Sequence, residues 1–399
     1  GVFLVDGCLL KVNYSDSINR LIPMLTIKMD SVEPELNVST IDLTALSDDD
    51  VVEIVSDACA GYGFFQIVNH GISTELIDRY LFQCRRYFAL PLDTKLKWKR
   101  SKDNARGFFN DELTQQKRDW KECLDVGVPG SRDWSVDDDS PQNKCLDGWN
   151  QLPQEEVLPG FRQTISMYFD ALSLLADRIA IIMAKGLGED ENSRITQELR
   201  KNHSSYLRSN YYPTCNEQGD EKPLGISPHR DAGFLTILLQ DIDCHSLQVL
   251  KNDVWVTIIP ADKYAFTINT GDMAEVWSNG LYKAPLHRVL SNETKERYST
   301  PFFYNPSYET RVKPLIRNDG TKTNNNDPLF NDILWGYFRA VRFAGDLTDL
   351  GVEIQVAHFL KADEDNTHKM KQEIFVKELD FTTPFDVEQY SSLLLSKGA

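Results

Sequence analysis

The run of short apolar segments between Ser205 and Tyr304 restricts the possible folds of this chain more than any other feature. In this stretch, β-branched and aromatic runs alternate with turn-forming residues. The pattern predicts strands at residues 206–207, 234–239, 247–250, 254–256, 265–268, 273–277 and 282–290, with an Asn279-Gly280 hairpin turn between the last two. Many short strands of this kind are typical of a sandwich or barrel, and we expect a jelly roll, that is, a double-stranded β-helix.

The first part of the chain predicts an α/β unit instead. Residues 38–46 indicate a strand and a turn, and Asp48, Asp49 and Asp50 supply an acidic first turn for a helix that ends near Gly61. Residues 64–68 predict a buried strand, after which Ser73 caps a second helix. Helical spacing of apolar residues predicts the longest helix over 161–186 and a further helix over 334–343. The predicted fold class is therefore α+β, with a jelly-roll core, an N-terminal α/β unit and flanking helices.

The 399 residues are expected to divide into five regions. These are an N-terminal tail (1–37), an N-terminal domain (38–155), linking helices (156–202), the jelly-roll domain (203–308), and a C-terminal helical segment that is a candidate lid (309–399).

Composition restricts the partners and the compartment. The 43 basic and 60 acidic residues give a net charge of −17, which disfavours binding to a nucleic-acid backbone. The seven cysteines are scattered and form no C-x-x-C pair, which is typical of a reducing compartment. No apolar run approaches the roughly 18 residues that cross a bilayer. We expect a soluble, cytoplasmic, monomeric protein whose partner is a small molecule, with no nucleic acid and no membrane.

The triplet His229-Arg230-Asp231 and the later His287 form a candidate metal site. Residues i and i+2 of a strand share a face, so His229 and Asp231 are expected to point into the barrel while Arg230 points away. An isolated His-x-Asp is a weak signal, and most such histidines are ordinary surface or core residues. With His287 on a later strand, however, two imidazoles and one carboxylate can hold one face of a divalent iron and leave the other positions open.

Arg297 and Ser299 repeat the i, i+2 spacing one strand further on. A guanidinium can make paired hydrogen bonds to a carboxylate, and a neighbouring hydroxyl can add a third. Taken without the metal motif, the same pair also fits a surface arginine next to a packed serine.

Together these motifs resemble the iron(II)/2-oxoglutarate-dependent dioxygenases of the isopenicillin N synthase-like, plant-type branch. The resemblance spans roughly residues 38 to 305. It is carried by Gly63–Gly71, Asn210-Tyr211-Tyr212-Pro213, Pro228–Asp231, Leu235–Asp241, Asn269-Thr270-Gly271-Asp272, Trp277–Gly280, His287-Arg288-Val289 and Arg297-x-Ser299. His70 falls in a motif that is architectural in this family, and Cys244-His245-Ser246 stands where relatives commonly have a Gly-Gly turn.

The resemblance implies roles for seven residues: iron ligation by His229, Asp231 and His287, anchoring of the distal carboxylate of 2-oxoglutarate by Arg297 and Ser299, and contact with the cosubstrate by Asn210 and Tyr212. It also implies Fe²⁺, 2-oxoglutarate and O₂, with ascorbate as an additional reductant. In the implied reaction, oxidative decarboxylation of 2-oxoglutarate to succinate drives hydroxylation or desaturation of a small organic metabolite.

Two alternatives remain open from the sequence. One is an oxidase of the isopenicillin N synthase type, which works without 2-oxoglutarate and uses its Arg-x-Ser pair for the substrate. The other is a non-catalytic jelly-roll protein that binds a ligand in the same cleft. Phe234, Leu235 and residues 337–343 are candidates for the pocket wall or lid. Within that segment Arg339 and Arg342 either meet an acidic substrate or lie on a solvated helix face.

Overall fold

The structure, a computed structural model, describes residues 2–5, 8–11, 38–101, 104–115, 117–128, 148–216, 222–316, 327–347 and 354–361. The chain divides into two units, residues 1–33 and residues 34–399. In the first unit, β1 (Val2–Val5) and β2 (Cys8–Lys11) pair antiparallel, with Val2 opposite Lys11. The predicted tail thus contains paired strands.

The second unit holds the remaining elements. Its helices are α1 (Asp48–Gly61), α2 (Thr74–Phe88), α3 (Leu92–Lys95), α4 (Phe161–Gly186), α5 (Arg194–Arg200), α6 (Asp272–Trp277) and α7 (Trp335–Leu347). Its strands are β3 (Thr40–Asp42), β4 (Phe64–Val68), β5 (Gly107–Phe109), β6 (Leu113–Thr114), β7 (Lys117–Arg118), β8 (Glu122–Gly127), β9 (Tyr206–Tyr212), β10 (Ile226–His229), β11 (Leu235–Gln240), β12 (Leu247–Lys251), β13 (Val254–Thr257), β14 (Phe266–Thr270), β15 (His287–Val289), β16 (Arg297–Tyr304), β17 (Arg311–Val312) and β18 (Ile333–Leu334). Two short 3₁₀ helices cover Leu96–Trp98 and Val356–Phe359.

Two sheets in the described part of the chain form the jelly roll. Eight strands pair in the order β3-β4-β14-β11-β16-β9-β8-β5, and four pair in the order β10-β15-β12-β13. A small apolar cluster joins residues from both sheets and therefore lies between them: Val38, Phe64, Tyr212, Leu238, Leu247, Val249, Ile258 and Val289. The opposite face of the larger sheet packs against α4, which in turn contacts α1 and α2. The predicted jelly-roll core and α+β class are confirmed.

Local signals place the helices where the sequence predicts them. The hydroxyl of Ser47 accepts a hydrogen bond from the Asp50 amide at the start of α1, and the Ser73 hydroxyl accepts one from the Leu76 amide at the start of α2. α4 runs for 26 residues with a continuous buried stripe, over the range that its apolar spacing predicts. None of the helices in the described ranges combines the length and hydrophobicity that a bilayer-spanning segment needs.

The prediction of a strand at 273–277 is wrong, because this segment is the helix α6. A short, mostly buried run of five residues is too brief for its periodicity to separate a strand from a helix. Asn279 and Gly280 do adopt the left-handed conformation, with φ of 53° and 81°, but they end α6 instead of closing a hairpin. The strand predicted over 282–290 is limited to His287–Val289. The strands β5 to β8 were not predicted.

Candidate active site

The three predicted metal ligands lie together at one mouth of the jelly roll. His229 ends β10 and His287 begins β15, and the two residues are directly opposite each other in the pairing of these strands. Asp231 lies two residues beyond the end of β10, so it reaches the centre from a loop and not, as predicted, from the strand itself. The loop brings its carboxylate Oδ1 to 3.6 Å from His229 Nε2 and 3.7 Å from His287 Nε2.

Hydrogen bonds from the surrounding protein fix which atom of each ligand faces the centre. Nδ1 of His229 is 2.8 Å from the Ser227 carbonyl, and Nδ1 of His287 is 3.0 Å from the Pro285 carbonyl. A carbonyl only accepts, so each Nδ1 carries the proton and each Nε2 keeps its lone pair for a metal.

The carboxylate of Asp231 is oriented in the same way. Its Oδ2 accepts hydrogen bonds from Thr236 Oγ1 at 2.5 Å and from Asn269 Nδ2 at 2.7 Å. Both donors occupy the same oxygen, which leaves Oδ1 facing the two histidines.

Electrostatics keep His229 and Asp231 in the form that binds metal. Burial, and then the proximity of His287, lower the pKa of His229 to about 3, so its imidazole is neutral. Burial alone would raise the pKa of Asp231, but His287, His229 and the two hydrogen bonds hold it below its ordinary value. The candidate ligand atoms all lie within 4.8 Å of one another, and they form the one such group of His, Cys, Asp and Glu in the described ranges. Two neutral imidazoles and a carboxylate fit Fe(II) with open positions.

A buried arginine lies on the same side of the sheet. Arg297 and Ser299 are on β16, where they pair across to Tyr212 and Asn210 of β9 respectively. Arg297 is 1% exposed, yet its Nε and Nη1 have no hydrogen-bond partner. A buried cation without a partner is costly, so this guanidinium is suited to a bound anion.

One cavity connects this arginine to the metal centre. It is lined by all seven residues that the sequence analysis selected: Asn210, Tyr212, His229, Asp231, His287, Arg297 and Ser299. Its other walls are mostly apolar and include Leu238, Leu247 and Val289. The cavity can therefore hold an elongated dianion whose one end meets the metal and whose other end meets Arg297.

Comparison with known proteins identifies the family. The family model of the 2OG-Fe(II) oxygenase superfamily matches residues 203–306. The family model described as the N-terminal region of the non-haem dioxygenase in morphine synthesis matches residues 38–155. Jasmonate-induced oxygenase 2 of Arabidopsis thaliana is 34% identical over 313 residues, which cover 76% of this chain and 78% of that protein. The chain belongs to the 2OG-Fe(II) oxygenase superfamily.

Two further similarities agree with this assignment. The 2-oxoglutarate-dependent dioxygenase caaD of Aspergillus niger is 33% identical over 299 residues, 71% of this chain and 89% of that protein. The crystal structure of JOX2 in complex with 2OG, Fe, and JA matches with a TM-score of 0.64 at 33% identity, over 81% of this chain and 90% of that one. The predicted Fe(II)/2-oxoglutarate-dependent dioxygenase, with iron, 2-oxoglutarate and O₂, is confirmed at the level of the family.

A second cavity of this oxygenase adjoins the first and shares six lining residues with it: Asn210, Ile226, His229, Asp231, Pro301 and Phe303. It is lined by Glu112, Thr114, Lys121, Tyr206, Arg208, Asn210, Ile226, His229, Arg230, Asp231, Ala232, Gly233, Pro301, Phe303, Asn305, Trp335, Arg339, Arg342 and Asp346. Five of these residues are Lys or Arg and three are Asp or Glu, so cationic side chains outnumber anionic ones.

The cationic excess of this cavity comes from α7 and from Arg230. Deep in the cavity, Arg208 binds Asp125 through both oxygens at 2.8 and 2.9 Å, and Glu112 lies 2.6 Å from Lys121. These charges neutralise one another. Arg339, by contrast, meets one carboxylate among the described residues, through a loose 3.7 Å contact with Asp346.

The other two cavity arginines have carbonyl partners. Arg342 donates to the carbonyls of Ile354 and Arg230, and Arg230 donates to the carbonyl of Ala284. These contacts satisfy N–H groups. Both guanidiniums also act on the buried carboxylate of Asp272, although burial outweighs them and raises its pKa to about 7. Arg339 and Arg342 therefore line the site, and the alternative of a solvated helix face is wrong for them.

Several predicted residues lie elsewhere. Phe234 packs against Trp277 in the core, and neither it nor Leu235 lines the two cavities. His70 binds the Tyr264 carbonyl and the Ile72 amide, as an architectural residue would. Arg230 does not point away, because it lines the second cavity.

Two supports of the site were missed from the sequence, although Thr236 and Asn269 both lie inside the motifs quoted for the family. Thr236 lies five residues after Asp231, and Asn269 lies on a different strand. Both reach the Asp231 carboxylate because β11 pairs with β14, which places Thr236 opposite Asn269. That pairing could not be read from the sequence.

Proposed function

We propose that this oxygenase holds Fe(II) with His229, Asp231 and His287, and holds 2-oxoglutarate with Arg297 and Ser299, assisted by Asn210 and Tyr212. The observation that carries the proposal is the buried guanidinium of Arg297, whose Nε and Nη1 have no hydrogen-bond partner, in the cavity that also reaches the three metal ligands. When bound, iron supplies the oxidising chemistry that couples decarboxylation of 2-oxoglutarate to oxidation of a C–H bond.

The protein side chains supply orientation and exclusion of water. Arg297 neutralises the distal carboxylate through paired hydrogen bonds, and Ser299 adds a hydroxyl donor beside it. Burial raises the pKa of Tyr212, so its phenol also stays a donor. The apolar walls of Leu238, Leu247 and Val289 keep water from the carbon chain between the two ends.

The second cavity is the proposed substrate site, and its charge favours a small organic acid. Arg339 is half enclosed by the rings of Tyr206 and Phe343, at 5.5 and 5.6 Å from their centroids, and lacks a tight carboxylate partner. An anionic substrate group would complete this site, with its reactive carbon turned toward His229 and Asp231.

Other proposals follow from the sequence and remain to be tested. The chain is proposed to divide into five regions, with boundaries after residues 37, 155, 202 and 308. The protein is proposed to be a cytoplasmic monomer without nucleic-acid or membrane partners, and to use ascorbate as an additional reductant. Free and buried thiols, which support a reducing compartment, are found at Cys59, Cys84, Cys123, Cys215 and Cys244.

The test of the substrate class uses matched pairs of small carboxylic acids and their methyl esters. With Fe(II), 2-oxoglutarate and O₂, we expect at least one acid to release succinate and give a product heavier by one oxygen, and its ester to fail. Arg339→Met should raise the KM for that acid about 10- to 100-fold, because a charge-assisted pair is lost. Arg200→Met, which removes an exposed arginine on α5, is the matched control. Equal turnover of acids and esters would contradict the proposed class.

A further inference from the structure

The buried thiol of Cys123 lies directly behind the cosubstrate site. Cys123 on β8 pairs with Asn210 on β9, which pairs with Ser299 on β16, so the three residues form one row across adjacent strands. Side chains of directly paired residues share a face of the sheet. Cys123 is completely buried and lines neither cavity, whereas Asn210 lines both.

The hydrogen bonds in this row have a direction. The thiol of Cys123 donates to Oδ1 of Asn210 at 3.1 Å, and Nδ2 of Asn210 donates to the Ser299 hydroxyl at 3.3 Å. Because the Ser299 oxygen accepts from the amide, its own proton is left for the other neighbours of the hydroxyl, which are the Tyr212 phenol and the carboxylate that Arg297 attracts. Burial raises the pKa of the Cys123 thiol, which keeps it protonated as a donor.

The opposite orientation of the amide would work against cosubstrate binding. With the amide flipped, Oδ1 would accept the Ser299 proton and turn it away from the carboxylate. A carbonyl oxygen would then also stand close to a bound dianion. The amide itself has no other polar contact that selects one orientation among the described residues, since its two side-chain atoms meet Cys123 and Ser299.

We propose that Cys123 is a positioning residue for 2-oxoglutarate: its S–H group fixes the amide of Asn210 so that Asn210 and Ser299 both donate toward the cosubstrate. This inference rests on the proposed cosubstrate site. Cys123 does not touch 2-oxoglutarate and acts through Asn210.

The experiment is a double-mutant cycle on the Kd of 2-oxoglutarate, measured by anaerobic calorimetry with Fe(II)-loaded protein. Cys123→Ala removes the donor and should weaken binding about 3- to 10-fold, the effect of one net hydrogen bond. Cys123→Ser keeps a donor and should stay close to the wild type. Combined with Asn210→Ala, Cys123→Ala should cause no further loss, because its effect passes through the amide.

Controls distinguish the positioning role of Cys123 from an effect of core packing, and from a failure of the proposed 2-oxoglutarate site. Cys123→Val, closer to cysteine in volume, should behave as Cys123→Ala does and replaces it if that variant fails to fold. The melting temperature of the metal-free variants reports structural damage separately. Wild-type affinity in Cys123→Ala and Cys123→Val, equal weakening in Cys123→Ser, or additive losses in the double variant would overturn the inference. Absence of 2-oxoglutarate binding in the wild-type protein would instead overturn the proposed function.

Discussion

Each candidate metal ligand has one polar atom engaged by the protein and one directed to the shared centre. The carbonyls of Ser227 and Pro285 engage the two histidines, while Thr236 and Asn269 engage Asp231. Such partners orient ligands before the metal arrives, so they contribute to metal affinity although they never touch the metal.

Removing either support of Asp231 should therefore weaken iron binding. We expect Thr236→Val and Asn269→Ala each to lower the affinity for Fe(II) about 10- to 100-fold, because the carboxylate is no longer held with Oδ1 toward the histidines. Anaerobic metal titration measures this effect. The matched control is Thr267→Val, which changes a buried threonine of β14 that bonds Gln240 and not the triad. An unchanged affinity in both support variants would show that Asp231 needs no such orientation.

Among the helices, α7 brings the charge that distinguishes the second cavity. It carries Arg339 and Arg342, and near its end Asp346 lies beside Arg339. Burial and then the proximity of Glu112 raise the pKa of Asp346 to about 6, despite the opposing effect of Arg339. The native protein therefore binds a proton at Asp346 more tightly than the unfolded chain does.

This shift predicts a pH-dependent loss of stability. Between pH 4 and 6 the unfolded chain, with an ordinary pKa near 3.8, loses the proton before the native protein does, so stability falls as the pH rises through this window. Asp346→Asn should thus stabilise the protein by about 1–2 kcal/mol above pH 6, after allowance for partial exposure, and by little at pH 4.

Urea unfolding of both proteins from pH 4 to 8 measures the difference. Asp332→Asn, which alters an exposed ion pair with Lys313, should change stability by less than about 1 kcal/mol. A wild-type protein that is more stable than Asp346→Asn at pH 8 would contradict the assignment.

Elements differ in how well the sequence predicts them. Capping residues and long apolar periodicity predict α1, α2 and α4 because these signals are local. The helix α6, with six residues, is too short for its periodicity to distinguish it from a strand. The strands β5 to β8 could not be predicted from the sequence because this region buries charged residues. Among these are Glu112 and Lys121, whose ion pair forms only after folding.

In the molecule as a whole, the larger sheet links the two matched regions. The strands β8 and β5 come from the N-terminal region and extend the sheet beyond β9 of the jelly roll. The seven residues that line the first cavity could be selected from the sequence because they fall in ordered motifs. The second cavity could not, because it combines Glu112 and Lys121 with α7 across more than half of the chain.

The same assembly explains why substrate identity is hard to predict from sequence. The residues around the metal lie on paired strands whose register fixes their positions. The walls of the proposed substrate cavity include residues of β9, the loop after β10, β16 and α7, and their relative placement is a property of the complete fold.

We propose that the metal triad and Arg297 form one site for iron and 2-oxoglutarate. Anaerobic titration of 2-oxoglutarate into the protein, with and without Fe(II), measures whether the two parts act together. We expect one binding site per chain whose affinity rises when Fe(II) is present. We also expect that affinity to fall at least 100-fold in Arg297→Leu, because a paired charge interaction is lost, and to become independent of iron in Asp231→Ala. Tight 2-oxoglutarate binding that persists in Arg297→Leu, or that never depends on iron, would contradict the account.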